Sequence, residues 1–248
     1  MDDSKSGIPA FLAWLMRFYI MLAIPVLLVV GSARIIMMPA FLEFEYNRPD
    51  FSVDSYGMTA EDRLQYGPYG VLYIINNEPI EYLADLELPG ELCYPPQDIP
   101  CPAFDSDELS HMHDVQVVAQ GLFSVALWGG LIAIVVGFVL LRFVSKNALR
   151  LALMQGSLLT IGLVIAIILL AVTAWDTFFS GFHGLFFEDG TWTFFYSDTL
   201  IRLYPEQFWF DAALVVGVMT TVGALVILAI AWRLQSLSSQ KVTHEGTD

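Results

Sequence analysis

Long uncharged apolar runs dominate the pattern of hydrophobic and polar positions along the chain. Three of them reach or exceed the roughly 20 residues that an α-helix needs to cross a bilayer core; they are Val115 to Leu141, Leu151 to Trp175 and Ala212 to Trp232. A fourth run, Phe18 to Ala33, is shorter, but Arg17 and Arg34 at its ends can extend their charges toward the lipid headgroups. The pattern predicts four transmembrane helices, and Pro25 predicts a kink in the first.

The composition agrees with this pattern, since 56% of the residues are hydrophobic and only 15% are charged. Basic residues then indicate the orientation, because short cytoplasmic loops of membrane proteins are enriched in Lys and Arg. They flank the runs on one predicted side, at Lys5, Arg17, Arg142, Lys146, Arg150, Arg233 and Lys241. We therefore expect both termini and the turn between helices two and three to be cytoplasmic.

Acidic residues follow the opposite distribution. Of the 26 Asp and Glu residues, only Asp2, Asp3, Glu245 and Asp248 lie on the predicted inner side. The net charge of −15 is therefore mostly a property of the outer segments. It argues against nucleic-acid binding, which requires a basic surface.

The predicted fold class is an all-α membrane protein with four transmembrane helices and an extracellular cap formed by the 1–2 and 3–4 loops. The expected order is a cytoplasmic N-terminus with the first helix (1–38), a cap segment (39–114), helices two and three with a short cytoplasmic turn (115–175), an aromatic extracellular loop that completes the cap (176–211), the fourth helix (212–233) and a cytoplasmic tail (234–248).

The first cap segment contains local signals of structure. The stretch "MTAEDRLQYG" predicts a helix that begins after Thr59, because a threonine followed by acidic residues is typical of a helix N-terminus. Pro68 and Pro79 are expected to break the following apolar stretch into short helices. Cys93 and Cys101 enclose a short proline-rich loop, "CYPPQDIPC", which favours a structural disulfide over a metal or redox pair in an exported segment.

The stretch "DELSHMHDV" holds two of the four histidines immediately before the second span. On a helix, His111 shares a face with Glu108 and Asp114, which could orient its ring, whereas His113 points about 200° away. A metal site that uses both histidines would need an extended segment instead. A polar collar at the end of a membrane helix remains a further interpretation.

His183 lies among aromatic residues in "GFHGLFF". A lone histidine in such surroundings is more often packed than catalytic. The predicted topology nevertheless places it at the same membrane face as His111, and two histidines can exchange protons near neutral pH without a metal. The sequence contains no recognised nucleophile elbow, P-loop, zinc-protease or protein-kinase motif that would compete with this pair.

Three stretches together resemble the bacterial lipoprotein intramolecular transacylases, an integral-membrane family. They are "YGVLYIINNEPIEYL", "FDSDELSHMHDVQVV" and "FHGLFFEDGTWTFFYSDTLIRLYPEQFWFD". The resemblance implies four transmembrane helices under an extracellular cap in the bacterial plasma membrane. It also implies that His111 and His183 are catalytic; His113 is not part of the family pattern.

The implied reaction moves the sn-2 acyl chain of a diacylglyceryl lipoprotein to the α-amine of its N-terminal cysteine, and it requires no metal or cofactor. The expected partners are the lipoprotein substrate and membrane lipids. An aromatic wall could hold the reacting ester and amine together; its candidate residues are Phe182, Phe186, Trp192, Phe194 and Phe195. Arg34 and Arg202 are candidates for binding substrate carbonyls or the oxyanion, although charge pairing with the acidic cap explains them equally well.

Two other classes of function stay open on the sequence alone. One is a metal-binding membrane protein that uses His111, His113, Asp114 and His183. The other is a non-catalytic accessory or sensor protein on the same scaffold.

Overall fold

The long helices of the protein agree with the four apolar runs. The computed structural model describes the backbone of residues 7–244 and the side chains of residues 7–234; the ends of the predicted cytoplasmic segments, 1–6 and 245–248, lie outside the described residues. Four described helices are long and apolar enough to cross a membrane. They are α1 (Ala10–Ile36), α5 (Ser106–Val139, continued by a π-helical turn at Leu140–Val144), α6 (Lys146–Thr173) and α9 (Glu206–His244). The predicted multi-pass α-helical fold is confirmed.

Among the described residues, one compact unit consists of residues 7–32, 124–168 and 216–244. Within it, small residues allow membrane helices to approach closely. A Cβ atom added to Gly156 on α6 would lie only 2.6 Å from Cδ1 of Ile24 on α1, and one on Gly223 would lie 2.6 Å from Cδ2 of Leu28. The Tyr19 hydroxyl also donates a hydrogen bond to the Gly129 carbonyl at 2.7 Å.

The second compact unit consists of residues 33–123 and 169–215. It contains the helices α2 (Pro39–Tyr46), α3 (Ala60–Asn76), α4 (Glu81–Ala84), α7 (Trp175–Phe186) and α8 (Thr199–Leu203), and a 3₁₀ turn at Gly90–Leu92. The short strands β1 (Glu87–Leu88) and β2 (Cys101–Pro102) pair antiparallel, with Leu88 opposite Cys101. A disulfide joins Cys93 to Cys101.

The two segments predicted as loops share one hydrophobic core in this unit. Its most deeply buried members come from both segments and include Leu42, Tyr73, Leu83, Leu88 and Leu203. The Tyr46 hydroxyl ties the first segment to the second by donating a hydrogen bond to the Leu203 carbonyl at 2.8 Å. The loops are therefore folded structure rather than tethers.

Helix α3 begins where the sequence predicts. Thr59 caps it, and a reciprocal pair of hydrogen bonds joins Thr59 and Asp62 as a capping box. The expectation that Pro68 breaks this helix is wrong, because Pro68 lies inside α3. Gly67 and Gly70, on either side of the proline, lie against the buried rings of Tyr46 and Tyr204, and the Tyr204 hydroxyl donates a hydrogen bond to the Gly67 carbonyl. These tertiary contacts override the helix-breaking tendency of proline.

Helix α7 was not predicted from the sequence. Helix α6 ends at Thr173, and Ala174 adopts a non-helical conformation with φ −151° and ψ 63° before α7 begins at Trp175. The first part of the segment interpreted as an aromatic loop is thus an amphipathic helix. This helix places His183 on a defined face.

Candidate active site

His111 lies in the second turn of α5, which begins nine residues before the predicted membrane run. Its side chain is buried, with 7% exposure. The rings of Phe187 and Phe194 lie 5.0 and 5.4 Å from it, measured between centroids. Among the described residues, its buried Nδ1 atom has no hydrogen-bond partner. A buried polar atom without a partner is costly, so a substrate group that pairs with it would be favoured.

His183 is presented by α7. Its Nδ1 atom lies 2.8 Å from the carbonyl oxygen of Phe179, one helical turn earlier. A carbonyl oxygen can only accept a hydrogen bond, so Nδ1 carries the proton in neutral His183 and Nε2 holds the free lone pair. The Phe179 and Trp192 rings pack against the imidazole at 4.1 and 4.9 Å between centroids. This arrangement suits a proton acceptor.

Burial also affects the charge of His183. Its pKa is lowered from the ordinary value of 6.5, because burial disfavours the imidazolium; the hydrogen bond to the Phe179 carbonyl opposes this shift without cancelling it. The ring is therefore neutral at pH 7. A neutral ring is the form that can accept a proton.

The fold brings His111 and His183 together. Their ring centroids are 6.4 Å apart and the ring planes are inclined by 26°. Phe187 contacts both rings, at 5.0 Å from His111 and 5.8 Å from His183. Two imidazoles within one aromatic enclosure could act on neighbouring atoms of a single substrate.

The predicted aromatic wall is only partly the one that surrounds the histidines. Phe182 contacts His183 at 5.6 Å, and Phe186 packs on Phe182 at 5.2 Å. Phe195 is 78% exposed, and the structure gives it no ring contact with either histidine within the described residues. Two contacts were missed, those of Phe179 and Phe187. Phe179 lies four residues before His183, a spacing that marks one helix face once α7 is recognised, whereas Phe187 directly follows the end of that helix.

Glu108 occupies the expected face of α5 but has different partners from those expected. Its carboxylate accepts hydrogen bonds from the backbone N–H of Leu200 at 2.6 Å and of Asp105 at 2.8 Å. Asp114 is exposed. In the part of the chain that the structure describes, no hydrogen bond joins either carboxylate to His111. Glu108 instead fastens the start of α5, and hence His111, to the start of α8.

Replacing Glu108 by alanine is expected to destabilise the protein by about 1.5–3 kcal/mol, because Glu108 is only 2% exposed and the N–H of Leu200 would stay buried without its acceptor. The turnover rate should fall as well, since His111 loses its anchor. Thermal unfolding and turnover measured on the same sample check this. Asp107→Ala is the matched control: Asp107 is exposed in the same turn, and its loss should cost about 0.3–1 kcal/mol. Equal effects of the two substitutions would contradict the anchoring role.

Arg202 pairs with a carboxylate of the cap segment, as the charge-pairing interpretation of the sequence predicts. Its side chain is buried, and its three nitrogens donate to Asp54 at 3.1 Å, to the Leu92 carbonyl at 2.6 Å and to the Tyr56 carbonyl at 3.2 Å. Each nitrogen thus has a protein partner. Arg34 lies over the Phe123 ring, with its guanidinium carbon 5.3 Å from the ring centroid.

The structure also bears on the metal alternative. The "DELSHMHDV" segment is helical, and His113 is exposed whereas His111 is buried. The extended geometry that a shared metal site requires is thus not the one that this segment adopts. Among the described residues, no three His, Cys, Asp or Glu side chains form a group that could hold a metal ion.

Comparison with known proteins agrees with this architecture. Residues 17–209 match the family described as "Lipoprotein intramolecular transacylase Lit". A protein of Aquifex aeolicus (strain VF5), described as uncharacterized, is 32% identical over 197 residues, which cover 79% of this chain and 84% of that protein.

Solved structures show the same fold. The membrane-integral lipoprotein intramolecular transacylase Lit of Bacillus cereus is 18% identical, with a TM-score of 0.76 over 94% of this chain and 100% of that one. A variant of that protein with one histidine replaced by arginine matches with a TM-score of 0.60 at 18% identity, over 93% of this chain and 95% of that one. From the family match over most of its length, the chain belongs to the lipoprotein intramolecular transacylase (Lit) family of membrane acyltransferases.

Proposed function

We propose that this protein moves the sn-2 acyl chain of a diacylglyceryl lipoprotein to the α-amine of that lipoprotein's N-terminal cysteine, which leaves a lyso-form lipoprotein. The observation that carries the proposal is the convergence of His111 and His183, 6.4 Å apart, within an aromatic enclosure of a membrane protein of this family. The transfer converts an ester into a more stable amide. It therefore needs neither ATP nor a separate acyl donor.

The two histidines have different proposed roles. The amine nitrogen attacks the ester carbonyl carbon, and Nε2 of His183 accepts the proton that the amine loses, because its Nδ1–H is engaged by Phe179. The carbon–oxygen bond of the ester then breaks. His111 donates a hydrogen bond to the departing glyceryl oxygen, and His183 returns the proton taken from the amine to that oxygen. Both rings begin and end the reaction neutral.

The surrounding rings are proposed to hold the substrate rather than to take part in proton transfer. Trp192 and Phe194 contact one histidine each, and Phe187 contacts both. Apolar walls of this kind favour acyl chains and exclude water. An intramolecular reaction gains most of its rate enhancement when the ester is held beside the amine.

The proposed location of the site is the extracellular face of a bacterial plasma membrane, with both termini cytoplasmic. The distribution of Lys and Arg supports this orientation. The disulfide between Cys93 and Cys101 supports it too, since such bonds persist in oxidising compartments.

The test is expression of the protein in a bacterium that makes diacylglyceryl lipoproteins and lacks N-acylation. Mass spectrometry of the lipoprotein N-terminus should show one acyl group moved from oxygen to nitrogen at unchanged total mass. Lipoproteins that keep both ester-linked chains would contradict the transacylase proposal and favour a non-catalytic accessory or sensor protein. If acylation adds the mass of a further chain, the donor is a second molecule and the reaction is not intramolecular.

The rate of transfer should rise with pH and then level off. His183 has a lowered pKa, so its neutral form is lost only when the pH falls below 6.5. The substrate amine has a reference pKa of about 7.7–8.0, so its nucleophilic form grows up to that range. Turnover of a purified diacylglyceryl lipopeptide between pH 5 and pH 9 measures this profile. A rate that falls between pH 6 and pH 8 would instead indicate that a protonated histidine is required.

A further inference from the structure

Helix α7 carries more apolar surface than the active site uses. A helix turns by about 100° per residue, which places Phe179 and His183 near one another and Phe182, Leu185 and Phe186 beside them on the same apolar side. The opposite side carries small and polar residues, namely Thr177, Ser180, Gly181 and Gly184. The helix is therefore amphipathic across its full length.

The apolar side divides into a packed part and an uncovered part. Phe179 and His183 contact the rings of the site, as does Phe187 directly after the helix. Leu185 is 75% exposed, and Phe182 is 50% exposed. We call Phe182, Leu185 and Phe186 the outer edge of α7. No contact within the described residues covers these side chains enough to bury them.

The position of α7 in the chain indicates what covers this edge. Only Ala174 separates α7 from α6, which is one of the membrane-spanning helices. A helix of 12 residues is about 18 Å long and cannot cross a core of about 30 Å. It begins with Trp175, a residue type enriched at membrane interfaces, and its only charged residue is Asp176 in the first turn.

We propose that α7 lies in the membrane–water interface, with its outer edge among the acyl chains of bilayer lipids and its Ser180 side toward water. Exposed leucine and phenylalanine side chains on one side of a short helix that directly continues a membrane span are typical of interfacial helices.

The location of α7 also gives lipid substrates a path to the site. Phe182 belongs to the outer edge and contacts His183 at 5.6 Å. An acyl chain that moves along this edge reaches the imidazole without leaving apolar surroundings. This consequence rests on the proposed function, whereas the placement of α7 does not.

The test uses a nitroxide spin label on the full chain in lipid nanodiscs. Both native cysteines form the disulfide, so Leu185→Cys and Ser180→Cys each introduce one free thiol. Both positions are exposed in the same helix, on its apolar and polar sides. Molecular oxygen concentrates in lipid and a nickel chelate concentrates in water, so the ratio of their collision rates with the label reports its surroundings.

We expect the oxygen-to-nickel ratio at Leu185→Cys to exceed that at Ser180→Cys severalfold, because the first label lies among acyl chains and the second in water. A ratio at Leu185→Cys no greater than at Ser180→Cys overturns the proposal. Phe186→Cys provides a second label on the same edge if Leu185→Cys fails to fold. None of these measurements depends on turnover, so they separate the placement of α7 from the proposed reaction.

Discussion

Alanine at position 183 is expected to lower the rate of acyl transfer by about 10²–10⁴-fold, the usual range for the loss of a general base. The substitution should lower the turnover rate, because the Nε2 lone pair of His183 is the proposed proton acceptor. The protein should still fold, since His183, like every other residue of α7, is at most partly buried. Mass spectrometry of the lipoprotein N-terminus, with protein level measured in the same membranes, gives both results.

The matching variant His111→Ala should cause a loss of similar size, and the double variant should lose little more than either one. Residues that act on one reaction as a unit are not additive. His113→Ala is the control, because His113 is exposed and outside the site. Full conversion by both single variants would show that the histidine pair is not the catalytic apparatus, even if the protein is a transacylase.

Alanine at position 202 should reduce the free energy of unfolding by about 3–5 kcal/mol, the range for removing one partner of a buried ion pair. It leaves Asp54 without its cation and the carbonyls of Leu92 and Tyr56 without their donors, in a region where Arg202 is 2% exposed. Thermal unfolding followed by tryptophan fluorescence should show a lower midpoint.

The control for this substitution is Arg142→Ala. Arg142 is exposed between α5 and α6, so its loss should change stability by no more than about 0.5 kcal/mol. Arg202→Lys separates the two interpretations of Arg202. If Arg202 binds substrate, the lysine variant should lose turnover while its free energy of unfolding is unchanged. If Arg202 stabilises the fold, the free energy of unfolding should fall in the lysine variant.

The features that the sequence predicts correctly depend on local or generic physics. A bilayer requires about 20 apolar residues in each helix, so the spans are visible without any knowledge of packing. The cap of α3 needs only Thr59 and Asp62, which are three positions apart. The shared face of Glu108 and His111 follows from helical periodicity alone, since α5 begins before the membrane run.

The features that escaped prediction depend on tertiary contacts. Helix α7 contains Gly181, Gly184 and four phenylalanines, which have modest helix propensity, and it is recognisable only from the spacing of its apolar residues. The partner of Glu108 is the backbone of Leu200, 92 positions later. No side-chain pattern identifies a backbone N–H as the partner, so the anchoring of α5 could not be predicted.

His111 and His183, the two proposed catalytic residues, are held by helices that differ in length and in burial. His111 belongs to a 34-residue helix and is itself buried, so moving it disturbs a packed core. His183 belongs to a short helix, separated from α6 by the bend at Ala174 and held mainly by ring contacts, each worth about 0.5–1.5 kcal/mol. If the two histidines have the proposed roles, a bulky lipid that enters the enclosure is therefore expected to displace His183, the proposed proton acceptor, more than His111.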